Sequence, residues 1–203
     1  ALGWACWKTY LSRPEGNWAW LSAMTQLGNG LFDAKNYKDA LPVREVELSM
    51  LQRRGAPEPN ILNSQGNLAG TYRLLGRLEE ALMMKRDVYT GYLKLYGEED
   101  RETLREAGNY ASLLIELKRF KEAEALLRKL IPVAQRVLGD NNMETLRMEW
   151  IYAEALYKDA SASLDDLREA VTTLEETARI ARRVMGGAHP LTAAIGDKLR
   201  YAR

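Results

Sequence analysis

Few residues in this sequence could carry out a chemical reaction. Cys6 is the only cysteine and His189 is the only histidine among 203 residues. A nucleophilic cysteine needs an adjacent base, and no histidine lies near Cys6 in the sequence. Acidic pairs such as Glu79 and Glu80 fall at a predicted helix start, where negative charge suits the helix dipole. We therefore expect no enzymatic activity, no catalytic residues, no metal and no other cofactor.

Polar residues suited to binding recur along the chain. Asparagine side chains can pair with the backbone of an extended peptide, which otherwise loses its hydrogen bonds to water. The planar guanidinium group of arginine can hold a carboxylate through two parallel hydrogen bonds. Gly66, Gly70 and Gly108 lack side chains and would leave room for a ligand. The candidate peptide-binding residues are Asn29, Asn63, Asn67, Arg105, Asn109, Ser112 and Arg147.

Charge and hydropathy exclude two classes of partner. The chain has 29 Lys and Arg residues and 28 Asp and Glu residues, interleaved, and its formal charge is +1. A nucleic-acid-binding surface needs a basic excess clustered on one face, so we expect no nucleic-acid partner. Charged residues interrupt every apolar run before it could span a bilayer, so we expect no membrane insertion. Single-cysteine usage and the lack of a signal-peptide pattern predict an intracellular, cytoplasmic protein, with an organelle interior as the alternative.

Glycines at a nearly constant spacing divide the chain into repeats. Four of them follow apolar-periodic segments at intervals of 42, 42 and 47 residues, at Gly55, Gly97, Gly139 and Gly186. A glycine commonly ends a helix because it adopts positive φ without strain. Small residues also recur in register, which lets paired helices approach closely; they are Gly28, Ala69, Ala111 and Ala153, then Ala40, Ala81, Ala123 and Ala170. The sequence therefore predicts an all-α protein built of repeated helical hairpins.

The repeats define the predicted domain organisation. Residues 1–17 do not fit the period and are either an N-terminal helix or the remnant of a preceding repeat. Residues 18–203 form the repeat domain, with repeats and a final capping helix at about 18–55, 56–97, 98–139, 140–187 and 188–203. Each repeat contains an A helix followed by a B helix. Asn36 is expected to cap the first B helix, because asparagine is favoured at that position.

The pattern of small and apolar positions resembles the tetratricopeptide repeat, and the 42-residue period is similar to that of kinesin light chains. In that family the linker typically reads Leu-Gly-x-x-His-Pro, and Val184-Met185-Gly186-Gly187-Ala188-His189-Pro190 is close to it. Asn67-Leu68-Ala69 matches as well. The resemblance covers roughly residues 18–203. It implies a right-handed α-solenoid of about four such hairpins plus a C-terminal capping helix.

The resemblance also implies where a partner binds. In such a solenoid the A helices line the concave face, and their register places the candidate residues there. Chaperone-binding domains of the family grip a terminal carboxylate with a five-residue clamp, and Asn29, Asn67 and Arg105 match three of its positions. Thr25 and Asn109 replace a lysine and an arginine of that clamp. We therefore predict a non-catalytic scaffold that binds an extended, acidic peptide or partner segment in the concave groove.

A second function remains open from the sequence. The chain could be a constitutive subunit of a larger multiprotein complex, docked through its convex face and its tryptophan-rich N-terminal end. Four of the five tryptophans lie within the first twenty residues. Trp4 and Trp7 precede the first repeat, and exposed aromatic patches mark interfaces. These two residues are therefore candidates for docking a partner, or for packing against a missing repeat.

Overall fold

The structure, a computed structural model, describes residues 18–202. This part of the chain contains nine helices and no strand, so the fold class is all-α, as predicted. The helices are α1 (Trp18–Asp33), α2 (Tyr37–Arg53), α3 (Glu58–Leu74), α4 (Leu78–Tyr96), α5 (Arg101–Glu116), α6 (Phe120–Leu138), α7 (Met143–Lys158), α8 (Leu164–Met185) and α9 (Pro190–Ala202). Odd-numbered helices up to α7 are the A helices of four hairpins, and even-numbered helices are the B helices.

The described residues fall into two compact units, 18–88 and 89–202, and α4 begins in the first and ends in the second. In the first unit α1 packs against α2, and α2 packs against α3. Buried Leu21, Met50 and Leu51 form a core cluster, and Trp20 and Ile61 pack at its edge. The B helix α2 is therefore held on two sides by A helices.

In the second unit each helix from α5 to α9 packs on the next, and the A helices α5 and α7 also contact each other. The largest side chains of this unit that are fully buried are Leu104, Leu114, Leu127, Leu130, Leu146, Met148, Leu156, Leu174 and Ile195. Ile195 lies on α9. Two other residues of this helix, Asp197 and Arg200, form an exposed ion pair. A helix that is apolar on one side and charged on the other suits the predicted capping role.

The recurrent small residues lie where helices approach most closely. All seven recurrent alanines have fully buried side chains, with an exposed fraction of zero. In the first hairpin Gly28 takes the same place, and a Cβ there would lie 3.3 Å from Cγ of Arg44. A larger side chain would push paired helices apart, so the repeat of small residues has the packing role that the sequence indicated.

Positive φ angles occur at two kinds of turn. The glycines that end the B helices adopt φ values of +58° to +91° at Gly55, Gly97, Gly139 and Gly186. Inside the hairpins the turn residue is Gly76 in the second repeat, with φ +78°, but lysine in the first and third. Lys35 and Lys118 both have φ +59°, a conformation that costs a residue with a Cβ more than it costs glycine.

Asn36 lies at the predicted N-cap position, but it does not cap the helix with its side chain. Asn36 does precede α2, but its side chain accepts no hydrogen bond from the helix. Its amide Nδ2 instead donates to Oδ2 of Asp39 at 2.6 Å. Side-chain pairs in the same place precede the next two B helices, Arg77–Glu80 and Arg119–Glu122.

Candidate functional site

An open pocket of about 350 Å³ lies among α1, α2 and α3 in the unit of residues 18–88. We call it the Arg44 pocket, because the side chain of Arg44 is the one positive charge in its wall. Its lining residues are Asn29, Phe32, Asp33, Arg44, Gly66, Asn67 and Gly70. Asn29 and Asn67 were both predicted to bind a peptide, so the structure brings two of the predicted residues together here.

Arg44 is held rigidly although it is charged and only 4% exposed. One terminal nitrogen donates to the backbone carbonyl of Asn67 and to Oγ1 of Thr71, the latter at 2.7 Å. The other donates to Oδ1 of Asn29 at 3.3 Å. Its guanidinium also lies 4.5 Å from the ring centre of Phe32, within the range of a cation–π contact. Arg44 therefore joins α1, α2 and α3 through neutral partners.

A buried carboxylate, Glu47, lies one turn further along α2. It is 5% exposed and accepts a hydrogen bond of 2.5 Å from Oγ1 of Thr25. Burial raises the pKa of Glu47, and the bond from Thr25 and the charge of Arg44 act against that rise. Burial likewise lowers the pKa of Arg44, although an arginine stays charged. Arg44 and Glu47 thus balance each other through space inside the first hairpin.

Two glycines of α3 border the Arg44 pocket, but only one of them leaves open space. A Cβ at Gly70 would meet only Cε2 of Phe32, at 3.9 Å. A Cβ at Gly66 would lie 3.4 Å from Nζ of Lys85, so the ammonium group of Lys85 occupies the room there. Asn63, one turn earlier on α3, is exposed and does not line the pocket.

The candidate residues of the second unit are held by neighbouring polar groups. Arg147 donates to Oδ1 of Asn109 at 2.6 Å, which joins α7 to α5. Arg105 contacts the carboxylates of Glu102 and Glu106 at 2.6 and 3.2 Å. The hydroxyl of Ser112 donates to the backbone carbonyl of Gly108 at 3.0 Å. The structure brings Asn109 and Arg147 together, while the charge of Arg105 is already paired.

Sequence reasoning missed Arg44 and Glu47. Neither residue stands out in the sequence, because a charged residue on a predicted amphipathic helix usually faces solvent. The signal that identifies Arg44 is a comparison between repeats, since Leu127 and Leu174 occupy the same B-helix position and are fully buried. The predicted docking residues Trp4 and Trp7 lie outside the described residues.

Comparison with known proteins connects this geometry to a family. A family model described as "Tetratricopeptide repeat" matches residues 61–102 and 103–142. Residues 61–142 are therefore similar to tetratricopeptide repeats. The two matched segments overlap the predicted second and third repeats. No curated protein matches this chain in sequence.

Solved structures share the fold at low sequence identity. A crystal structure of a putative kinesin light chain from Podosopora anserina, with nearly identical TPR-like repeats, is 21% identical and has a TM-score of 0.72. The match covers 90% of this chain and 84% of that chain. A crystal structure of BtubC (BKLC) from P. vanneervenii is 15% identical, covers 91% and 80% of the two chains, and has a TM-score of 0.55. These likenesses confirm the α-solenoid fold class.

The described part of the chain, residues 18–202, contains neither a membrane-spanning helix nor a metal-binding group of side chains. None of its nine helices combines the length and the apolar character needed to cross a lipid bilayer. Within residues 18–202 no three His, Cys, Asp or Glu side chains are grouped so that they could hold a metal ion. The repeat fold is typically a non-enzymatic module for protein–protein interaction.

Proposed function

We propose that this protein is a non-catalytic scaffold that binds an extended, acidic peptide segment of a partner on its A-helix face. The Arg44 pocket holds one acidic side chain of that segment. The observation that supports this function is a guanidinium group that is 4% exposed and yet lines an open pocket. Asn63, Arg105, Asn109, Ser112 and Arg147 are the further predicted peptide contacts.

The bonding of Arg44 favours an acidic ligand. Its hydrogen bonds go to a carbonyl, a hydroxyl and an amide oxygen, so no carboxylate among the described residues neutralises it by direct contact. Asp33 and Glu47 act on it only through space. A ligand carboxylate that entered the pocket would form the first direct ion pair of this guanidinium, with hydrogen bonds between two charged groups.

The test has two steps: peptide ligands are selected first, and the pocket is then blocked by a substitution. Peptides selected from a random displayed library on the wild-type protein would be synthesised with a fluorophore, and their affinities measured by fluorescence anisotropy. In the Gly70→Gln variant a side chain projects into the pocket without removing any contact. We expect the selected peptides to contain Asp or Glu and to bind this variant at least about tenfold more weakly.

Gly30→Gln is the matched control. Gly30 also lies inside a helix, a Cβ there would meet nothing within 4 Å, and it does not line the pocket. Both substitutions remove a helix-interior glycine and should stabilise their helix similarly. Unchanged peptide affinity in Gly70→Gln, or unchanged affinity when the acidic residue of the peptide is replaced by its amide, would contradict the proposed function.

A further inference from the structure

A second, larger cavity lies in the unit of residues 89–202, on the side of the B helices. It is an open cleft of about 600 Å³ between α6 and α8, and α7 forms its floor. We call it the B-helix cleft. The residues that decide its chemistry are Arg128 and Pro132 on α6, Glu149 and Tyr152 on α7, and Glu169 and Thr177 on α8. None of them belongs to the Arg44 pocket or to the predicted peptide-binding residues.

The wall of the cleft contains a backbone acceptor without its helical donor. Pro132 lies inside α6. Proline has no N–H, so the carbonyl of Arg128, four residues earlier, cannot accept the hydrogen bond that continues the helix. Arg128 and Pro132 both line the cleft. Because the carbonyl of a helical residue points toward the residue four positions further on, we infer that this carbonyl lies beside Pro132 at the wall of the cleft. A ligand in the cleft could supply the missing N–H.

The floor of the cleft contains a carboxylate that is short of donors. Glu149 is 9% exposed, and its Oε1 accepts a hydrogen bond of 3.0 Å from Nε2 of Gln135. Its Oε2 lies 3.1 Å from Oγ1 of Thr177, but that hydroxyl also lies 2.7 Å from the carbonyl of Thr173. A hydroxyl has one proton. When the proton goes to the nearer carbonyl, Oε2 has no donor.

The net charge at the rim is negative and adds to the attraction that these acceptors have for a cationic donor. Asp140, Glu169 and Glu176 line the cleft together with the arginines Arg128 and Arg179. The guanidinium of Arg128 is engaged already. It donates to the Tyr152 hydroxyl at 2.9 and 3.1 Å and contacts Glu124 at 3.1 Å. With Glu149 the carboxylates outnumber the arginines, so the cleft attracts positive charge.

We propose that the B-helix cleft binds the guanidinium group of an arginine side chain presented by a partner protein. A guanidinium carries five N–H donors in one plane, enough to reach the Arg128 carbonyl, the Glu149 carboxylate and a rim carboxylate together. The apolar stem of the arginine packs on Ile131 and Ile180, which also line the cleft. This site goes beyond the proposed peptide-binding function, because it lies on B helices and takes a ligand of opposite charge.

The experiment uses three tripeptides as probes on the full chain. They are acetyl-Gly-Arg-Gly-amide and its citrulline and lysine counterparts, titrated while backbone and side-chain amide signals are followed by NMR. We expect saturable shifts at Gln135 and Thr177 with the arginine peptide. Citrulline has the same shape without the charge and should bind about tenfold more weakly. The lysine peptide should bind less tightly than the arginine peptide, because its ammonium has three donors rather than five.

Two pairs of variants test the two acceptors separately. Glu149→Gln keeps the shape of the floor but removes its charge, and it should weaken the arginine peptide about tenfold. Its control is Glu154→Gln, since Glu154 is a buried carboxylate of the same helix that does not line the cleft. Pro132→Ala returns an N–H to the Arg128 carbonyl and should weaken the peptide several-fold. Pro42→Ala is its control, a proline inside α2.

Three results would overturn the assignment. The first is the absence of saturable shifts in the cleft with the arginine peptide, or equal shifts with the citrulline peptide. The second is an unchanged affinity in both Glu149→Gln and Pro132→Ala. Loss of arginine binding in the control variants as well would show that folding, not the cleft, determines the signal, and would also overturn it. None of these results depends on the Arg44 pocket.

Discussion

Replacing Arg44 and Glu47 by leucine, singly and together, would show how the first hairpin tolerates two buried charges. Leucine is the residue that Leu127 and Leu174 provide at the position of Arg44 in later repeats. Arg44→Leu removes hydrogen bonds to three oxygens and leaves Glu47 buried without its positive neighbour. Removing one partner of a buried charge pair is costly, so we expect a loss of about 3 kcal/mol in the free energy of unfolding.

The double variant should recover much of this loss. Glu47→Leu alone leaves Arg44 without its balancing charge and should cost about 2 kcal/mol. With both residues replaced, this charge pair is no longer buried, and two apolar side chains fill a site that Leu127 and Leu130 fill in the third repeat. Replacing a buried pair by apolar residues is often neutral or stabilising. We therefore expect the double variant within about 1 kcal/mol of the wild type, far from the sum of the single effects.

Urea unfolding followed by circular dichroism measures all four proteins, and an unchanged m-value would show that the unfolding transition is comparable. A double-variant effect that equals the sum of the single effects within about 0.3 kcal/mol would refute the reasoning, because the two charges would then be independent. The same double variant separates folding from binding. It should stay folded and still lose the selected acidic peptides, since Arg44 is the group that we propose to hold them.

Three further predictions concern a proline inside a helix, the hairpin turns and a buried carboxylate. Pro132→Ala should raise the free energy of unfolding by up to about 3 kcal/mol in urea unfolding, because it restores a helical hydrogen bond, and no gain would contradict this. Lys118 has φ +59°, so Lys118→Gly should raise the free energy of unfolding by about 1 kcal/mol. Gly76 has φ +78°, so Gly76→Ala should lower it by a similar amount. Equal melting temperatures of the two variants would argue against strain at these turns. Burial raises the pKa of Glu149 above its usual 4.5, helped by the charges of Asp140 and Glu176. Between pH 4.5 and the folded pKa, Glu149 is protonated in the folded state but ionised in the unfolded state. The stability that this proton contributes is therefore complete below pH 4.5 and declines as pH rises through the folded pKa. The free energy of unfolding of the wild type should therefore fall relative to that of Glu149→Gln as pH rises over that range. A difference between the two proteins that does not change with pH would contradict the raised pKa of Glu149.

The helices could be predicted because their signals are local and repeated. Each glycine that ends a B helix appears in the sequence at the same place of the period, and each has positive φ in the structure. The buried alanines were equally visible, since a small residue at a fixed position has one simple packing explanation. The cap of the first B helix was mistaken because Asn36 fits the usual preference, while its amide donates to Asp39 instead.

The contents of the site were harder to predict than its place. The register of the A helices placed Asn29 and Asn67 together, and the structure agrees. It could not show that Arg105 is already paired with Glu102 and Glu106, because those partners lie on the same helix at spacings that also occur on any exposed surface. Hydropathy likewise counts Arg44 as a surface residue, although its stem and head are enclosed by three helices.

Comparing equivalent positions between repeats finds what hydropathy along one helix does not. The B-helix position of Arg44 is Lys85 in the second repeat and buried leucine in the third and fourth. The fold therefore accepts an apolar residue there, and a buried cation in the first two repeats is not required for packing. Lys85 also explains the glycine at position 66. The space beside Gly66 is occupied by the Lys85 ammonium group and is not open to a ligand. A repeat position at which some repeats have a buried leucine and another has a buried cation is therefore where a binding function should be sought, and in the first unit Gly70 borders the pocket that this cation lines.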